Sequence, residues 1–567
     1  MRSVSGKYWE EEVLNKNKIE KVKIDNDFND ILAKHILSNQ FDADEIYSLK
    51  NNIELKNPFL NNSDFNNAIE ILSTSINNNK KICIIGDYDV DGCISTSLLV
   101  ILLNKLKASH FYYVPNRFTD GYGSNLRLMK KLVTKKPDLI IMLDNGSSAN
   151  EAINYLNQKK IKSIIIDHHE IYKPYPDSNI LINPKKEKDN TYYNYFCTAV
   201  LVYFFIDLYI KNKKLNLNFS KYLNLVLLAI ISDVMPLRKI NRTIAKKVLD
   251  NNSVYKNFFF KKIFDLKKIK KPFEIDDFGF LFGPIINSAG RLEDSNIIVK
   301  LFTTENLEIK DKIIQHLFLL NEKRKNFQKK TLRLFDLKEL QSNERKIIIL
   351  ECNNIHEGLI GIIASNIKTY LNKPVVVITK SGELYKGSAR STNNFNIGKY
   401  IKSALDQNII ESGGGHNLAA GFTIKKKKLT KLKNFFYEIS LKNNTSSSEK
   451  YISKLSLSAI NKNFLTQLNK LKPFGEYNSN PYFLIEKIKL IRSKIIDNQF
   501  ISCYIKNKSG KILSAISFNL LHSDISNHIL NNKNDVDIIV QLKENLWNNK
   551  KKIQVIIIDL LTTSNKA

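Results

Sequence analysis

Residues Ile82 to Gly92 read ICIIGDYDVDG, and few folds accept that order of side chains. Four apolar residues, Ile82 to Ile85, suit a buried strand, Gly86 lets the backbone turn sharply, and Asp87, Asp89 and Asp91 follow at alternate positions. A buried strand that runs into acid calls for a cation. A calcium loop also reads D-x-D-x-D-G. Its twelfth position would be Leu98, where a bidentate glutamate is needed, and a strand rather than a helix leads into it.

The same alternation recurs downstream. Ile94 to Leu106 reads as a helix, and Phe111 to Val114 as a strand leading into PNRFTDGYG, where Pro115, Gly121 and Gly123 mark turns. Asp138 to Leu143 ends at Asp144-Asn145-Gly146, and Ser163 to Ile166 ends at Asp167-His168-His169. Strands alternating with helices predict an α/β fold with a doubly wound parallel sheet, whose ligands gather outside the carboxyl ends of the strands. A lone aspartate after a strand is ordinarily a helix N-cap. Three such strand ends with two adjacent histidines point instead to a shared site. Leu223 to Ser232 reads as a buried helix ending in SDVMPL, which puts Asp233 at the edge of an apolar segment.

Asp87, Asp89, Asp144, His168, His169 and Asp233 offer oxygen and imidazole ligands without a thiolate, a set suited to Mn²⁺ or Mg²⁺ rather than structural zinc. Two such ions roughly 4 Å apart share a hydroxide, lower its pKa and clamp the attacking and leaving oxygens of a displacement at phosphorus. Asp144, central among the strand ends in sequence order, is the expected bridging carboxylate.

With 567 residues, the chain exceeds the ~250–300 that one core supports, so three or four domains are expected. No run reaches ~18 apolar residues, and the most apolar stretches, Thr198 to Ile206 and Leu223 to Ile231, are cut short by Asp207 and Asp233. No membrane span is expected. The start of the chain lacks the basic, apolar and small-residue order of a secretory signal, and the five cysteines show no C-x-x-C spacing. The first leads to a cytoplasmic expectation, and the second indicates neither a zinc knuckle nor a disulfide framework. The net charge of +31 attracts phosphate polymers, yet Lys-rich composition alone also produces it.

Residues 1–60 read as an irregular or helical N-terminal arm with Trp9 as its landmark, and 61–300 as the domain holding the acids. Asn306 to about Lys338 has apolar residues at helical spacing and no Pro or Gly, which predicts a connecting helix over 301–342. Lys346 to Leu350 and Pro374 to Thr379 open a second α/β domain over 343–442. In KGSARS, Lys386, Ser388, Arg390 and Ser391 bring cations and hydroxyls onto one segment. Gly413 to Gly415 let backbone amides approach a phosphate, with His416 as a donor beside them. Lys442 to Lys450 reads as a polar linker. Phe500 to Ile505, Lys511 to Phe518, Val536 to Leu542 and Ile553 to Leu560, with turns at Lys508-Ser509-Gly510 and Asn548-Asn549, predict a small β-barrel within 450–567. Tyr504, Phe518 and Trp547 are either its core or its base-stacking surface.

In order along the chain, GDYDVDG, VPNRFTDGYG, LDNG, DHH, SDVMPL followed by Asn241 and Arg242, INSAGRL, HEGLIGIIAS, GSARS, GGGHNLAAGF and PFG resemble the DHH phosphoesterase superfamily, and within it the RecJ family. The resemblance spans nearly the whole chain. It implies a 5′-to-3′ exonuclease on single-stranded DNA, releasing mononucleotides with two Mn²⁺ or Mg²⁺ ions, in DNA repair and recombination. It implies Asp87, Asp89, Asp144, His168 and Asp233 as metal ligands, Asp144 and His169 at the reacting phosphate, and Asp91 in support. Substrate contacts fall to Arg117, Arg242, Arg291, His356, Lys386, Ser388, Arg390, Ser391, Gly414, Gly415 and His416, and the barrel resembles an OB-fold. The chain departs from the family at Ile285, where an Arg is usual; its loss weakens a phosphate contact and leaves Arg291 to carry that region. It departs also at Ile355 for a Trp and at Tyr477 for a Gly, which alter packing and a turn. A monomer served by a single-strand-binding protein and a helicase is the expected setting. The alternatives are a DHH phosphodiesterase for short oligonucleotides or cyclic dinucleotides, and a replication scaffold without catalysis.

Overall fold

The apolar runs that end in aspartate are strands of one parallel sheet. The computed structural model describes residues 1–121, 123–186, 193–250, 253–352, 355–442, 448–497, 500–518, 523–531, 534–547 and 550–561. The chain forms two units, one of Phe41–Lys323 with Lys472–Ser479, the other of Met1–Gln40, Arg324–Leu471 and Asn480–Ala567. The first strand, β1 (Tyr8–Glu11), belongs to the second of these.

In the first unit, β2 (Ile82–Ile85), β3 (His110–Tyr113), β4 (Leu139–Leu143), β5 (Lys162–Ile166) and β6 (Ile180–Ile182) lie in the order β3-β2-β4-β5-β6. Every pairing is parallel. Ile82 and Ile84 face one core and Cys83 and Ile85 the other, which is why these strands read as unbroken apolar runs. β6, only three residues long, left too short a signal to be predicted.

A short helix, α1 (Ala43–Tyr47), precedes the sheet. Helix α2 (Val90–Lys105) begins four residues before the predicted Ile94, because Asp89 caps it and accepts a hydrogen bond from Gly92 N. The acid-rich run is therefore the first turn of the helix. Buried along most of its length, α2 packs against α3 (Thr198–Asn212) and α4 (Leu223–Ser232), the two apolar stretches that fell short of a membrane span. No helix among the described residues is long and apolar enough to cross a membrane. α5 (Lys239–Asp250) and α6 (Gly283–Leu292) follow, and α7 (Leu307–Leu332) ends six residues short of the predicted Lys338.

The second unit holds two sheets that bear on substrate. β7 (Ile348–Cys352), β8 (Val375–Ser381), β9 (Leu384–Arg390), β10 (Ser412–Gly415) and β11 (Ala419–Ile424) lie in the order β10-β11-β9-β8-β7. The glycine triplet is thus an exposed edge strand, and helix α8 (Ile360–Leu371) packs on β8 and β9. Part of the predicted linker is also a strand, β12 (Ser448–Tyr451), while 443–447 lie outside the described residues.

After β13 (Ser453–Lys454), the strands β14 (Phe483–Ile496), β15 (Phe500–Lys506), β16 (Ile512–Ser517), β17 (Val536–Trp547) and β18 (Lys550–Leu561) close on themselves in the order 14-15-16-18-17-14. The pairing of β16 with β18 is parallel, and a helix, Asp524–Asn531, stands between β16 and β17, as in an OB-fold. β14 escaped prediction because left-handed residues at Lys487 and Arg492, next to register shifts against both neighbours, break its apolar alternation. Tyr504 and Phe518 are 42% and 62% exposed, so neither is core. The side chain of Trp547 and the turn at Asn548-Asn549 lie outside the described residues.

The expectation of an irregular or helical arm fails at Trp9. β1 pairs in parallel with β12, a partner more than 430 residues away that no local pattern announces. Trp9 is 1% exposed, packs edge-on to Tyr482 and donates from Nε1 to the buried carboxylate of Asp559 at 3.0 Å. Trp9→Ala is expected to destabilise this unit by about 3–5 kcal/mol, read by chemical denaturation followed by circular dichroism.

Candidate metal centre

Neighbouring strands lie about 4.8 Å apart, so residues that follow β2, β4 and β5 emerge side by side. Asp87 stands two residues beyond β2, Asp144 directly after β4, and Asp167-His168-His169 after β5. Gly92 lets α2 approach the first of these, since a Cβ there would lie 2.4 Å from Asp87 N. Asp91, in the first turn of α2, accepts from the Thr198 and Ala199 amides of α3 at 2.7 and 2.8 Å, and Asp233 follows the last residue of α4.

These elements bring the predicted acids together. His168 Nε2 lies 3.4 Å from both Asp144 Oδ1 and Asp233 Oδ2, and 3.8 Å from Asp91 Oδ2. Asp87, Asp89 and Asp144 form one set whose ligand atoms all fall within 4.8 Å of one another; Asp144, His168 and His169 form a second, and Asp91, His168 and Asp233 a third. Asp144, in both of the first two sets, is 1% exposed and holds a left-handed φ of 63°. Its Oδ2 is buried without a hydrogen bond. A buried carboxylate oxygen with no donor is costly, and a divalent cation satisfies it. The residues therefore fit oxygen-preferring divalent ions, which Asp144 would help to hold.

Burial, then the charge of Asp89, raises Asp87 to about 7 and Asp91 to about 6. Asp144 and Asp233 are raised well above the ordinary carboxylate range, by burial and then by neighbouring aspartates. Burial opposes both the ionised Asp167 and a charged His169, but their mutual hydrogen bond and attraction win, lowering Asp167 and raising His169 to about 9. The metal-free fold thus keeps protons on Asp87 and Asp91 that an unfolded chain gives up near pH 3.9. That stability is complete below about pH 4 and lost as pH rises through about 7. Metal-free protein is expected to melt at a lower temperature at about pH 8 than at about pH 5. Mn²⁺ should reverse that order while releasing protons, a release that titration calorimetry in two buffers measures.

Sequence reasoning passed over Asp167 as a site residue, although it is the first letter of DHH. Its carboxylate accepts from the amides of Ser147, His168 and His169 and from His169 Nδ1 at 2.8 Å, so it aims and charges that ring. Asn183 supports the same loop by donating to His169 O and Ser147 Oγ. A hollow of about 160 Å³ opens beside Asp89 and Asp233, lined also by Arg117, Asn287 and Arg291. The Arg117 guanidinium stacks on the Tyr88 ring at 4.2 Å. Gly290 lets α6 meet this loop, where a Cβ would stand 2.5 Å from Tyr88 O.

Two predicted substrate contacts are overturned. Arg242 is 1% exposed, donates to Ser48 Oγ at 2.9 Å and to Lys472 O at 2.7 Å, and is lowered to about 10 by burial. It ties the chain's own segments together. Ser391, also 1% exposed, spends its hydroxyl on Phe395 O and its amide on Leu418 O. Ile285 is wholly buried in the core, so its replacement of an arginine is a packing feature here, as is Ile355. Tyr477 takes a φ of 57°, the conformation for which the family's glycine is suited.

The other predicted contacts in the second unit lie close to one another. Lys386, Ser388 and Arg390 share one face of β9, opposite the core face of Tyr385 and Ala389. Gly361, in the first turn of α8, comes so near that a Cβ would lie 3.1 Å from Ser388 Oγ and 3.0 Å from the Arg390 guanidinium. Lys386 pairs with Glu357 at 3.2 Å, and exposed His356 accepts from Gly358 N. On the next strand but one, Gly414 faces open space and His416 is exposed. Gly415 closes on β11, where a Cβ would meet Ala419 O at 2.4 Å.

Residues 81–230 match the family model of the DHH family, N-terminal domain, 344–440 that of the DHHA1 domain, and 453–559 that of the RecJ OB domain. The chain carries the DHH, DHHA1 and RecJ OB domains in that order. Among curated relatives, this DHH chain is 28% identical over 505 residues to the single-stranded-DNA-specific exonuclease RecJ of Bacillus subtilis, covering 87% of this chain and 62% of that protein. To the RecJ of Salmonella typhimurium it is 26% identical over 535 residues, covering 89% and 91%. The RecJ of Thermus thermophilus in complex with Mn²⁺ superposes with a TM-score of 0.83 at 21% identity, over 98% of this chain and 80% of that one. The fold of this DHH protein is accordingly the RecJ fold.

Proposed function

We propose that this chain is a metal-dependent exonuclease that degrades single-stranded DNA from the 5′ end and releases 5′-mononucleotides, in DNA repair and recombination. The observation that carries the reading is the convergence of Asp87, Asp89, Asp144, His168 and Asp233 around a buried, unsatisfied Asp144 oxygen. Two Mn²⁺ or Mg²⁺ ions held there would supply an activated water and charge neutralisation at the scissile phosphate. Asp91 keeps α3 in place by binding its first amides. His169, held as a cation by Asp167, donates toward the phosphate or the departing oxygen. Arg117 and Arg291 in the adjoining hollow bind a flanking phosphate.

Lys386, Ser388, Arg390, His356, Gly414, Gly415 and His416 hold the terminal nucleotide. The barrel binds the strand behind it, with Tyr504 and Phe518 as exposed stacking surfaces. A closed barrel beyond the DHHA1 domain favours a long strand over a dinucleotide as substrate. The protein acts as a cytoplasmic monomer on strands supplied by a helicase and a single-strand-binding protein.

The test is digestion of end-labelled DNA. Mononucleotide release from a 5′-phosphorylated single strand with Mn²⁺, its loss with chelator, and slow turnover of a duplex and of a dinucleotide are expected. Faster turnover of the dinucleotide than of the strand would refute the assignment.

A further inference from the structure

We propose that Thr198 is the positioning residue that decides which oxygen of Asp144 is presented to the cations. This rests on reading the centre as a two-cation site. Thr198 opens α3, is wholly buried, and touches two acids at once. Its amide donates to Asp91 Oδ2 at 2.7 Å and its hydroxyl to Asp144 Oδ1 at 3.1 Å. A carboxylate that ligates cations is ionised and only accepts, so the hydroxyl hydrogen points at Asp144.

The two bonds work together. Asp91 accepts the Ala199 amide on its other oxygen, so the end of α3 is gripped by both oxygens of one carboxylate. Packed against α2 and gripped in this way, α3 offers the Thr198 hydroxyl from a fixed point. Asp144 needs such a point. The terminal torsion of an aspartate is broad and nearly two-fold, so its oxygens exchange places at little cost unless something distinguishes them. Here Oδ1 has the Thr198 hydroxyl at 3.1 Å and His168 Nε2 at 3.4 Å, while Oδ2 is buried without a hydrogen bond. The hydroxyl thus fixes the rotation of the carboxylate, holding Oδ1 beside His168 Nε2 and leaving Oδ2 without a protein donor. In sequence, Thr198 is merely the first residue of the apolar run TAVLVYFFI, and no charge or motif marks it.

Partners that orient a ligand in this way typically carry about 10- to 100-fold in metal affinity. The experiment compares the full-length protein with Thr198→Val, Thr198→Ser and Thr198→Ala, titrating Mn²⁺ alone by calorimetry and recording the electron paramagnetic resonance of the bound ions. Thr198→Val is expected to bind Mn²⁺ about tenfold more weakly and to lose the signal of a spin-coupled pair at parental Mn²⁺ concentration. Its kcat on single strands should fall with KM unchanged, and Thr198→Ser should restore all three readouts. Should Thr198→Val fail to fold by circular dichroism, Thr198→Ala makes the same comparison. Parental affinity and coupling in a folded variant without the hydroxyl would overturn the proposal, as would a Thr198→Ser protein as defective as Thr198→Val. Parent protein that binds no Mn²⁺ would overturn the functional reading and this proposal together, whereas the first two results leave that reading intact.

Discussion

Asp144→Ala is expected to lower the rate of single-strand degradation by at least about a thousandfold while the affinity for the strand stays near the parental value. Asp144 is the carboxylate shared by two of the three ligand sets, and the left-handed residue at the end of the central strand β4. Alanine removes both oxygens, so neither set of ligands around it is completed. In the proposed reading the strand is bound by other groups, the face of β9 and the barrel, which the substitution leaves alone. Single-turnover digestion with excess Mn²⁺, beside a gel-shift measurement with chelator, separates the two effects. Parental digestion by the variant would remove Asp144 from the centre.

The second large effect concerns stability. Glu45, in α1, is 3% exposed and receives both Arg238 Nε at 2.5 Å and Nη2 at 2.6 Å, a bidentate pair. The guanidinium also stacks on the Phe41 ring at 4.5 Å. Glu45→Ala leaves Arg238 largely buried without its counter-charge, a change that costs about 3–5 kcal/mol. The DHH unit should unfold at correspondingly lower denaturant. Because Arg238 lies in the turn between Asp233 and α5, Mn²⁺ affinity should fall as well, and calorimetry on the folded variant measures it. Glu45→Gln, which keeps the shape and part of the hydrogen bonding, should lose less on both counts.

The parts of the centre legible in sequence were those with local signals. An apolar run closed by aspartate marks a strand end, and in a parallel sheet the strand ends converge, so Asp87, Asp144 and His168 could be brought together before any coordinate was known. Asp233 was visible because an apolar helix stopped at it. The rest depended on partners remote in sequence. Asp167 looked like one more strand-end acid, and only its four donors show that it serves His169. Arg242 entered the substrate contacts through the family resemblance, whereas burial against Ser48 and Lys472 gives it another task. β14 was hidden by bulges that break its alternation, and β1 by a partner at the far end of the chain.

Lys472–Ser479 lies among residues 41–323 in the fold although the chain reaches it only after the DHHA1 domain. Leu237 donates its amide to Glu476 O, Arg242 reaches Lys472 O, and Gly475 fits where a Cβ would stand 2.9 Å from Leu237. On the ribosome, then, the nuclease lobe is still unfinished when Lys323 emerges, because the eight residues that seal the turn beyond Asp233 have yet to be translated. Nascent chains halted before Lys472 are expected to carry Asp87, Asp89, Asp144, His168 and Asp233 without the segment that packs on the turn beyond Asp233.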